Sequence, residues 1–395
     1  MQHATISLPA CSEFSRCNQQ SLFGRLGDKS SCQRIRISLN GQISDRVDLP
    51  KGSRFATTPL VLGEPLTAEA EQHWVYAAQQ AFGLRADGST GTRIELAKLP
   101  IAIGEYHEIG EMLEAKDSLY LMVCSSRSNN KQQSSHHDLT AYVAKLSKSG
   151  QLIWATAIPV GQVEHDGVAH ANAQTKWKPQ KMPPWTPTTW QAFGHDCLVA
   201  SGNRIMARVA EVSSGVGQYY LMDSQTGKML WQSAPSSGGF TTPADRGEFL
   251  VGDQGYGQFE TNLIQADGKC SIHWDSHGHS FLCDSNYYSI QMANTLSRPQ
   301  RCVLMAGDGS ISEASEPLGG YYTTKPQRLA DGSVYFWRND KIWKWDLKTG
   351  VEPIVETKFG HRAFGSSVKF SDTSVGFCIL RSTEPKLREL VVVDL

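Results

Sequence analysis

The sequence predicts an all-β fold made of repeated hairpins, and three regularities in the chain support this. The first is a set of turn glycines spaced 41 residues apart, Gly227, Gly268, Gly309 and Gly350. Each lies between two short apolar runs, and a glycine there supplies the positive φ that a tight antiparallel turn needs. Repetition at a period of this length is typical of stacked supersecondary units.

The second regularity is that the hairpin continues upstream and through the chain ends. The upstream hairpins cover 34–49, 81–96 and 141–158, with turns at Gly41, Gly88 and Gly150. The last residues, ELVVVDL, have the pattern of a first hairpin strand, and residues 4–9, ATISLP, have that of a second. Joined, the two ends complete an eighth hairpin.

The third regularity is an aromatic residue that recurs once in each unit. It follows small or polar residues at Phe14, Phe55, Tyr106, Phe193, Phe240, Phe281, Tyr322 and Phe364. We therefore predict an eight-bladed β-propeller of four-stranded blades, with seven blades as the alternative count and these aromatics on the innermost strands. The strand at 4–9 would close the ring by completing the C-terminal blade, which removes exposed sheet edges. Residues 1–395 would then form a single domain.

Composition argues against several classes of function. The formal net charge is −1 and 19% of residues are charged, so the chain has no global attraction for nucleic acid or anionic membranes. No apolar run approaches membrane-spanning length, and polar residues interrupt the first thirty positions, where a signal peptide has an apolar core. Nine cysteines without C-x-x-C spacing fit thiols in a reducing compartment. We therefore expect a cytoplasmic protein.

The hairpins also carry a family resemblance. The segment YYLMDSQTGKMLWQS (219–233) resembles the repeat of PQQ-like, quinoprotein-dehydrogenase-type propellers, which typically reads tyrosine-x-leucine-aspartate, threonine-glycine-lysine, then leucine-tryptophan. The matching residues are Asp223, Thr226, Gly227, Lys228 and Trp231, then Trp345, Asp346, Thr349 and Gly350, and in part Gly150 and Trp154. The resemblance implies a propeller fold more than it implies a chemistry.

The enzymes of that family bind a quinone cofactor with calcium, using acidic and amide ligands, a stacking tryptophan and often two adjacent cysteines. This chain has no adjacent cysteine pair and no C-x-x-C-H haem-attachment sequence. The sequence therefore argues against PQQ as a cofactor. The resemblance instead favours the family's non-catalytic branch, in which the ring is a protein-binding scaffold.

Two insertions stand out, a polar one at 125–139 and a longer one at 160–190. In a propeller, connections between blades and those between a blade's second and third strands emerge on one face, so we expect both insertions there. Loops on a rigid scaffold often carry recognition, and rigid aromatics bury much area at little entropic cost. The predicted partner-binding residues are His165, His170, Trp177, Lys178, Trp185 and Trp190.

The longer insertion has two other interpretations. Its tryptophans could simply pack onto a blade edge, since long loops need some core of their own. Lys176, Lys178 and Lys181 also interleave with Trp177, as on a surface that binds single-stranded nucleic acid. Three lysines in a neutral protein fit a solvated loop face better, so a protein partner is favoured over nucleic acid.

Four histidines each lie within three residues of a repeated aromatic: His107, His195, His279 and His361. This spacing places them near one mouth of the central channel, where converging imidazoles could hold a transition metal. There is no local ligand pattern such as H-E-x-x-H, so convergence depends on the fold. The alternative is that they are hydrogen-bonded strand-end residues.

Two functional hypotheses follow. The first is a cytoplasmic protein-binding scaffold, for example an adaptor or a toxin-neutralising immunity protein. The second is a metal-dependent lyase or hydrolase that uses the channel histidines. The chain has no G-x-S-x-G elbow and no phosphate-binding loop, so no catalytic residue is assigned and the scaffold is favoured.

Overall fold

A computed structural model gives the fold. It describes residues 2–8, 11–18, 21–27, 32–57, 72–85, 87–102, 107–125, 141–158, 190–191, 197–211, 216–233, 236–237, 241–255, 258–276, 278–291, 300–320, 323–357, 363–381 and 388–395. Eight antiparallel sheets form a ring, each with a main path of four strands. The predicted eight-bladed β-propeller is confirmed, and seven blades are excluded.

The strands of the first four blades follow β1 (Gln2–Ser7) in chain order. Blade one contains β2 (Cys11–Asn18), β3 (Ser21–Gly27), β4 (Cys32–Ser38) and β5 (Ile43–Leu49). Blade two contains β6 (Arg54–Phe55), β7 (Gln72–Ala77), β8 (Gln80–Arg85) and β9 (Thr90–Glu95). Blade three contains β10 (His107–Glu114), β11 (Ser118–Ser125), β12 (Ala141–Ser147) and β13 (Leu152–Ile158). Blade four has split inner and outer strands and contains β14 (Trp190–Gln191), β15 (Leu198–Ser201), β16 (Arg204–Glu211), β17 (Val216–Asp223), β18 (Met229–Gln232) and β19 (Ser236–Ser237).

The remaining four blades are regular. Blade five contains β20 (Thr241–Pro243), β21 (Phe249–Gly255), β22 (Gln258–Ile264) and β23 (Cys270–Trp274). Blade six contains β24 (Gly278–Cys283), β25 (Asn286–Gln291), β26 (Cys302–Met305) and β27 (Ile311–Glu313). Blade seven contains β28 (Gln327–Arg328), β29 (Val334–Arg338), β30 (Lys341–Asp346) and β31 (Gly350–Glu356). Blade eight contains β32 (Ala363–Ser371), β33 (Ser374–Arg381), β34 (Arg388–Asp394) and, as its outer strand, β1.

Helical structure within the described residues is limited to two short 3-10 turns, Leu96–Lys98 and Asp245–Gly247. The first belongs to the connection between blades two and three. The second joins the two innermost strands of blade five. The sheets alone therefore define the architecture.

The ring closes by pairing strands from the two ends of the chain. β1 runs antiparallel to β34, with Ala4 opposite Val392 and Thr5 opposite Val391. This confirms the predicted closure, but β1 spans Gln2–Ser7 rather than residues 4–9. The alternation of apolar and polar residues predicts which side chains of β1 face inward, but it does not predict where the strand starts and stops. Those limits depend on how far the partner strand β34 extends.

The recurring aromatics lie on innermost strands wherever they are described. These positions are Phe14 in β2, Phe55 in β6, Phe281 in β24 and Phe364 in β32. Phe55 and Phe281 are buried, as expected for large side chains that fill the wedge between neighbouring blades. The other four, Tyr106, Phe193, Phe240 and Tyr322, lie outside the described residues.

The hydrophobic core is divided among the spaces between neighbouring blades. Successive side chains of a strand point to opposite faces, so a central strand contributes to the clusters on both of its sides. In β11, Leu121 joins the cluster shared with blade two, whereas Met122 joins the cluster shared with blade four. Each blade is therefore held by two apolar interfaces.

Six of the described turns between third and outer strands pack against the outer strand of the preceding blade, whereas a Cβ at Gly350, the turn glycine of blade seven, would meet nothing within 4 Å. The contacting pairs are Gly41 with Ile6, Gly88 with Val47, Gly150 with Ile94, Gly227 with Trp154, Gly268 with Trp231 and Gly309 with His273. At Gly227, φ is 73° and a Cβ would lie 2.6 Å from Cε3 of Trp154. The Trp154 indole Nε1 also donates a hydrogen bond of 3.2 Å to the Ser224 carbonyl oxygen in this turn. Glycine is thus required both by the backbone and by the approach of the preceding blade.

Replacing Gly227 with alanine should therefore cost more than the backbone strain alone. Gly52 is a matched control, because its φ is 76° but a Cβ there would meet nothing within 4 Å. We expect Gly52→Ala to lower the free energy of unfolding by about 1 kcal/mol and Gly227→Ala by about 3 kcal/mol. Urea denaturation of both variants measures the difference. Equal losses would contradict the proposed contact with Trp154.

A histidine lies in the interface between blades one and two. The ring of His73 lies 4.6 Å from the Phe23 ring and 4.8 Å from the Phe55 ring, between centroids. Its Nε2 is 3.2 Å from the Ser15 hydroxyl oxygen. Burial, assisted by the nearby Arg34 guanidinium, lowers the pKa of His73 to about 3. His73 is therefore neutral in the folded protein at physiological pH.

This buried imidazole makes stability depend on pH. In the unfolded chain the pKa of His73 returns to 6.5, so below that pH the unfolded state binds a proton that the folded state excludes. His73 therefore causes no loss of stability above pH 6.5, and a progressive loss as the pH falls from there towards 3. Between pH 7.5 and 5, wild type should lose up to about 2 kcal/mol more than His73→Phe.

Urea denaturation of each protein at both pH values tests this expectation. Comparing each variant with itself across pH removes any change in packing caused by the substitution. His3→Gln, at an exposed position in β1, is the control and should keep the wild-type pH dependence. An unchanged pH dependence in His73→Phe would show that His73 is not responsible.

Candidate protein-binding face

The strand ends of blade three show where the two long insertions begin and end. His107 pairs with Ser125, and Ala141 pairs with Ile158, so all four positions lie at one end of this blade. The insertions connect β11 to β12 and β13 to β14. We call this side of the ring the loop-bearing face, and the opposite side the turn face.

The turn face is built largely from short turns fixed by carboxylates. Asp223 Oδ1 accepts hydrogen bonds from the backbone N–H groups of Gln225 and Thr226 at 3.0 and 2.9 Å. Hydrogen bonds within equivalent turns lower the pKa of the corresponding carboxyl groups of Asp87, Asp267, Asp308 and Asp346. These carboxylates are occupied in holding their own turns.

One long connection leaves from the turn face, and sequence reasoning missed it. It joins β6 to β7, the two innermost strands of blade two, and its residues 58–71 lie outside the described residues. Before it, Thr57 pairs with Leu113 of blade three, and the Thr57 hydroxyl donates a 3.1 Å hydrogen bond to Glu111 Oε1. The length of the segment between these two strands is the sequence feature that could have revealed this connection.

An exposed apolar connection between blades two and three lies on the loop-bearing face. Pro100 and Ala102 are exposed, while Leu99 and Tyr142 are partly buried and pack against the cluster between these blades. The Tyr142 hydroxyl donates a 2.8 Å hydrogen bond to the Ala102 carbonyl oxygen, which fixes the connection to β12. We name Leu99–Ala102 together with Tyr142 the blade-three patch.

His107 lies beneath this patch. It is 5% exposed, and its ring centroid is 6.2 Å from that of Tyr142. Its carbonyl oxygen accepts a 3.0 Å hydrogen bond from Gln79 Nε2 of blade two. These contacts make His107 part of the interface that supports the patch.

His279 occupies an equivalent inner strand in blade six and is partly buried. Its neighbour Ser280 belongs to a buried hydroxyl network between blades five and six. The Thr261 hydroxyl donates a 2.6 Å hydrogen bond to the Ser276 carbonyl oxygen, and the Ser280 hydroxyl donates one of 3.1 Å to Ser289 Oγ. This network fixes the start of the inner strand that carries His279.

The other histidines of the metal hypothesis, His195 and His361, lie outside the described residues. In the part of the chain that the structure describes, no three His, Cys, Asp or Glu side chains form a group that could hold a metal ion. The predicted partner-binding residues His165, His170, Trp177, Lys178 and Trp185 also lie outside it. Trp190 begins β14, where its backbone pairs with Glu211.

The described thiols with shifted pKa values are poor nucleophiles. Burial raises the pKa of Cys270 and Cys283 to about 11 and that of Cys302 to about 12. A thiol reacts as the thiolate, which is scarce at neutral pH for such values. These three cysteines therefore serve packing.

A buried arginine organises the loop-bearing face at blades six and seven. Arg338, at the end of β29, is 0% exposed. Its guanidinium donates hydrogen bonds to the carbonyl oxygens of Gly319 (2.6 Å) and Gly320 (3.0 Å), to that of Gln291, and to the side-chain oxygen of Gln300. Burial lowers the pKa of Arg338 to about 10, so it keeps its charge at physiological pH. Sequence reasoning missed it because a charged residue beside a turn is usually solvated.

Arg338→Met should leave these oxygens without their donor inside the protein. Because each buried unsatisfied polar group carries a desolvation penalty, we expect a loss of about 3 to 5 kcal/mol in the free energy of unfolding. Arg246→Met is the control, since the Arg246 side chain is 90% exposed, and it should change stability by less than about 0.5 kcal/mol. Denaturant titration compares the two. Equal effects would rule out the organising role.

Comparison with known proteins supports the fold. No protein-family model matches the chain, and no curated protein sequence matches it significantly. Among solved structures, it is similar to BamB from Moraxella catarrhalis, with a TM-score of 0.53 and 11% identity over 99% of this chain and 98% of that one. The WD40 domain of Pan2 from Neurospora crassa aligns with a TM-score of 0.43 and 10% identity, over 86% and 88% of the two chains.

A virginiamycin B lyase from Staphylococcus aureus aligns with a TM-score of 0.43 and 12% identity, over 86% of this chain and 99% of that one. At these identities the comparisons show the fold alone. The chain is a β-propeller, a fold that commonly mediates interactions between proteins. Within the described residues, no helix has the length and hydrophobicity needed to traverse a bilayer.

Proposed function

We propose that this protein is a binding scaffold that grips a protein partner with its loop-bearing face. One observation carries the proposal. The strand ends that flank residues 126–140 and 159–189 meet at one end of blade three, beside the exposed blade-three patch. Two long connections on a rigid sheet, next to apolar surface, are the usual arrangement of a recognition site.

The proposed contacts divide by chemistry. Trp177, Trp185 and Trp190 are the proposed anchors, because buried aromatics carry most of the energy at protein interfaces. His165, His170 and Lys178 are proposed as the surrounding polar contacts. The blade-three patch would extend the apolar centre, since its tyrosine and connection are already held in place and lose little entropy on binding.

The proposal retains the resemblance to the non-catalytic branch of PQQ-like propellers. It involves neither a quinone cofactor nor a catalytic metal, and it places the protein in the cytoplasm. A partner of the adaptor type or a toxin neutralised by binding would both use the same surface. The hairpin from Asp223 to Trp231 carries the sequence pattern on which this resemblance rests.

Affinity capture with matched loop replacements tests the proposal. In one variant, a six-residue glycine-serine linker replaces residues 160–189, because the connection 357–362 between other blades has that length. In the control, a linker replaces residues 292–299, which connect strands on the same face of blade six. We expect the partner bound by wild type to be retained by the control and reduced at least about 10-fold in the first variant.

Point variants then separate the anchors from loop length. Trp177→Ala, Trp185→Ala and Trp190→Ala should each weaken the purified complex, measured by calorimetry, while thermal unfolding verifies that each variant folds. A partner captured equally well by wild type and by the 160–189 replacement would refute the proposed use of this face.

A further inference from the structure

The outer strands of the blades form the exposed edges of the ring. A long exposed edge offers unpaired backbone N–H and C=O groups, so natural proteins protect edges with charges, prolines or short strands. Four of the longer outer strands here carry such protection, through Arg46 in β5, Arg93 in β9, Pro353 in β31 and the ionisable His3 in β1. Three other outer strands are short, with three residues in β27, four in β18 and five in β23.

The outer strand of blade three lacks this protection. Its sequence, LIWATAI, has seven residues and contains no ionisable side chain and no proline. Ile153 is 52% exposed, more than the other exposed large apolar residues of the described chain, and Ala157 is also exposed. Blade three therefore presents an uncharged apolar edge.

This edge is held in place by its own blade. The register between β12 and β13 is unbroken from Ala141 opposite Ile158 to Lys145 opposite Trp154, and Ile153 is the extra residue of the bulge that follows. Trp154 packs towards blade four, and Ala155 packs towards blade two. Among the described strands, only β12 pairs with β13. Five residues in regular register therefore present one backbone edge outward.

We propose that β13 pairs with the β13 strand of a second copy of this chain, antiparallel and across a two-fold axis. An edge that pairs with no described strand is completed best by another strand, because a strand offers backbone donors and acceptors at matching intervals. The absence of charge favours a second copy as the occupant: β13 pairs with β13 without desolvating a charge, whereas an edge such as β5 or β9 would bring charged side chains into the contact.

Two-fold self-pairing also suits the symmetry of common oligomers. In a two-fold dimer the same patch serves both copies, so a strand that complements itself in the antiparallel direction closes the assembly at two chains. Exposed Ile153 would become buried on both sides of the axis. The argument for this pairing does not depend on the proposed function.

Sedimentation of the full chain tests the dimer, from about 1 to about 100 µM, the range in which a weak specific interface assembles. Wild type should sediment at twice 43.5 kDa. Ile153→Lys and Ala157→Lys should each raise the dimer dissociation constant at least about 10-fold, because the lysine is buried without a counter-ion and occurs twice across the axis.

The matched control is Ile43→Lys. It makes the same change at a 39% exposed isoleucine on the outer strand of blade one, and it should leave the dimer unchanged. Thermal unfolding of each variant distinguishes loss of pairing from loss of fold. If wild type is a monomer throughout the range, the proposal is wrong. The edge would then be covered by residues 159–189 or would bind a different protein. A dimer that survives both blade-three substitutions would also overturn the proposal.

Discussion

The contact between a hairpin turn and the outer strand of the preceding blade, seen at six of the described turns, constrains the rest of the structure. It fixes the distance and rotation between blades, because a turn glycine lies directly against a side chain such as Trp154 or Trp231. Turn glycines are 41 residues apart from Gly227 to Gly350, but 47, 62 and 77 residues apart from Gly41 to Gly227. The additional length falls in connections such as 58–71, 126–140 and 159–189, which leave this contact intact. The ring therefore accepts insertions in connections other than the glycine turns that pack against the preceding blade.

The same contact explains how much of the fold the sequence could predict. A glycine turn flanked by apolar residues specifies a hairpin and lets it pack against the preceding blade, so counting this local pattern predicted eight blades. The bounds of β1 were predicted less well because pairing extends from Gln2 to Ser7 opposite β34, and the end of that partner strand sets the limit. The residues at the two ends of β1 are polar, so they show no apolar alternation from which the limits of the strand could be predicted.

The candidate site was less predictable because it depends on which blades meet. The pattern placed His107 beside an inner-strand aromatic but could not show that its ring packs under Tyr142. Arg338 follows an apolar strand and looks like a solvated turn residue, yet four oxygens from other segments surround it. The blade-three patch contains four consecutive apolar residues, LPIA, and this run in a connection between blades is the sequence feature that could have predicted an apolar surface there.

Closure of the ring uses the same packing contact as five other junctions. Five of the six side chains of β1 are exposed, so little of its attachment comes from burial of its own residues. What it supplies is backbone pairing to β34 and the side chain of Ile6, which lies against Gly41 as Val47 lies against Gly88. β1 is thus the outer strand that the first blade's turn requires. In blade eight, one strand from the start of the chain therefore both completes the sheet begun by the C-terminal strands and presents a side chain to the turn of blade one.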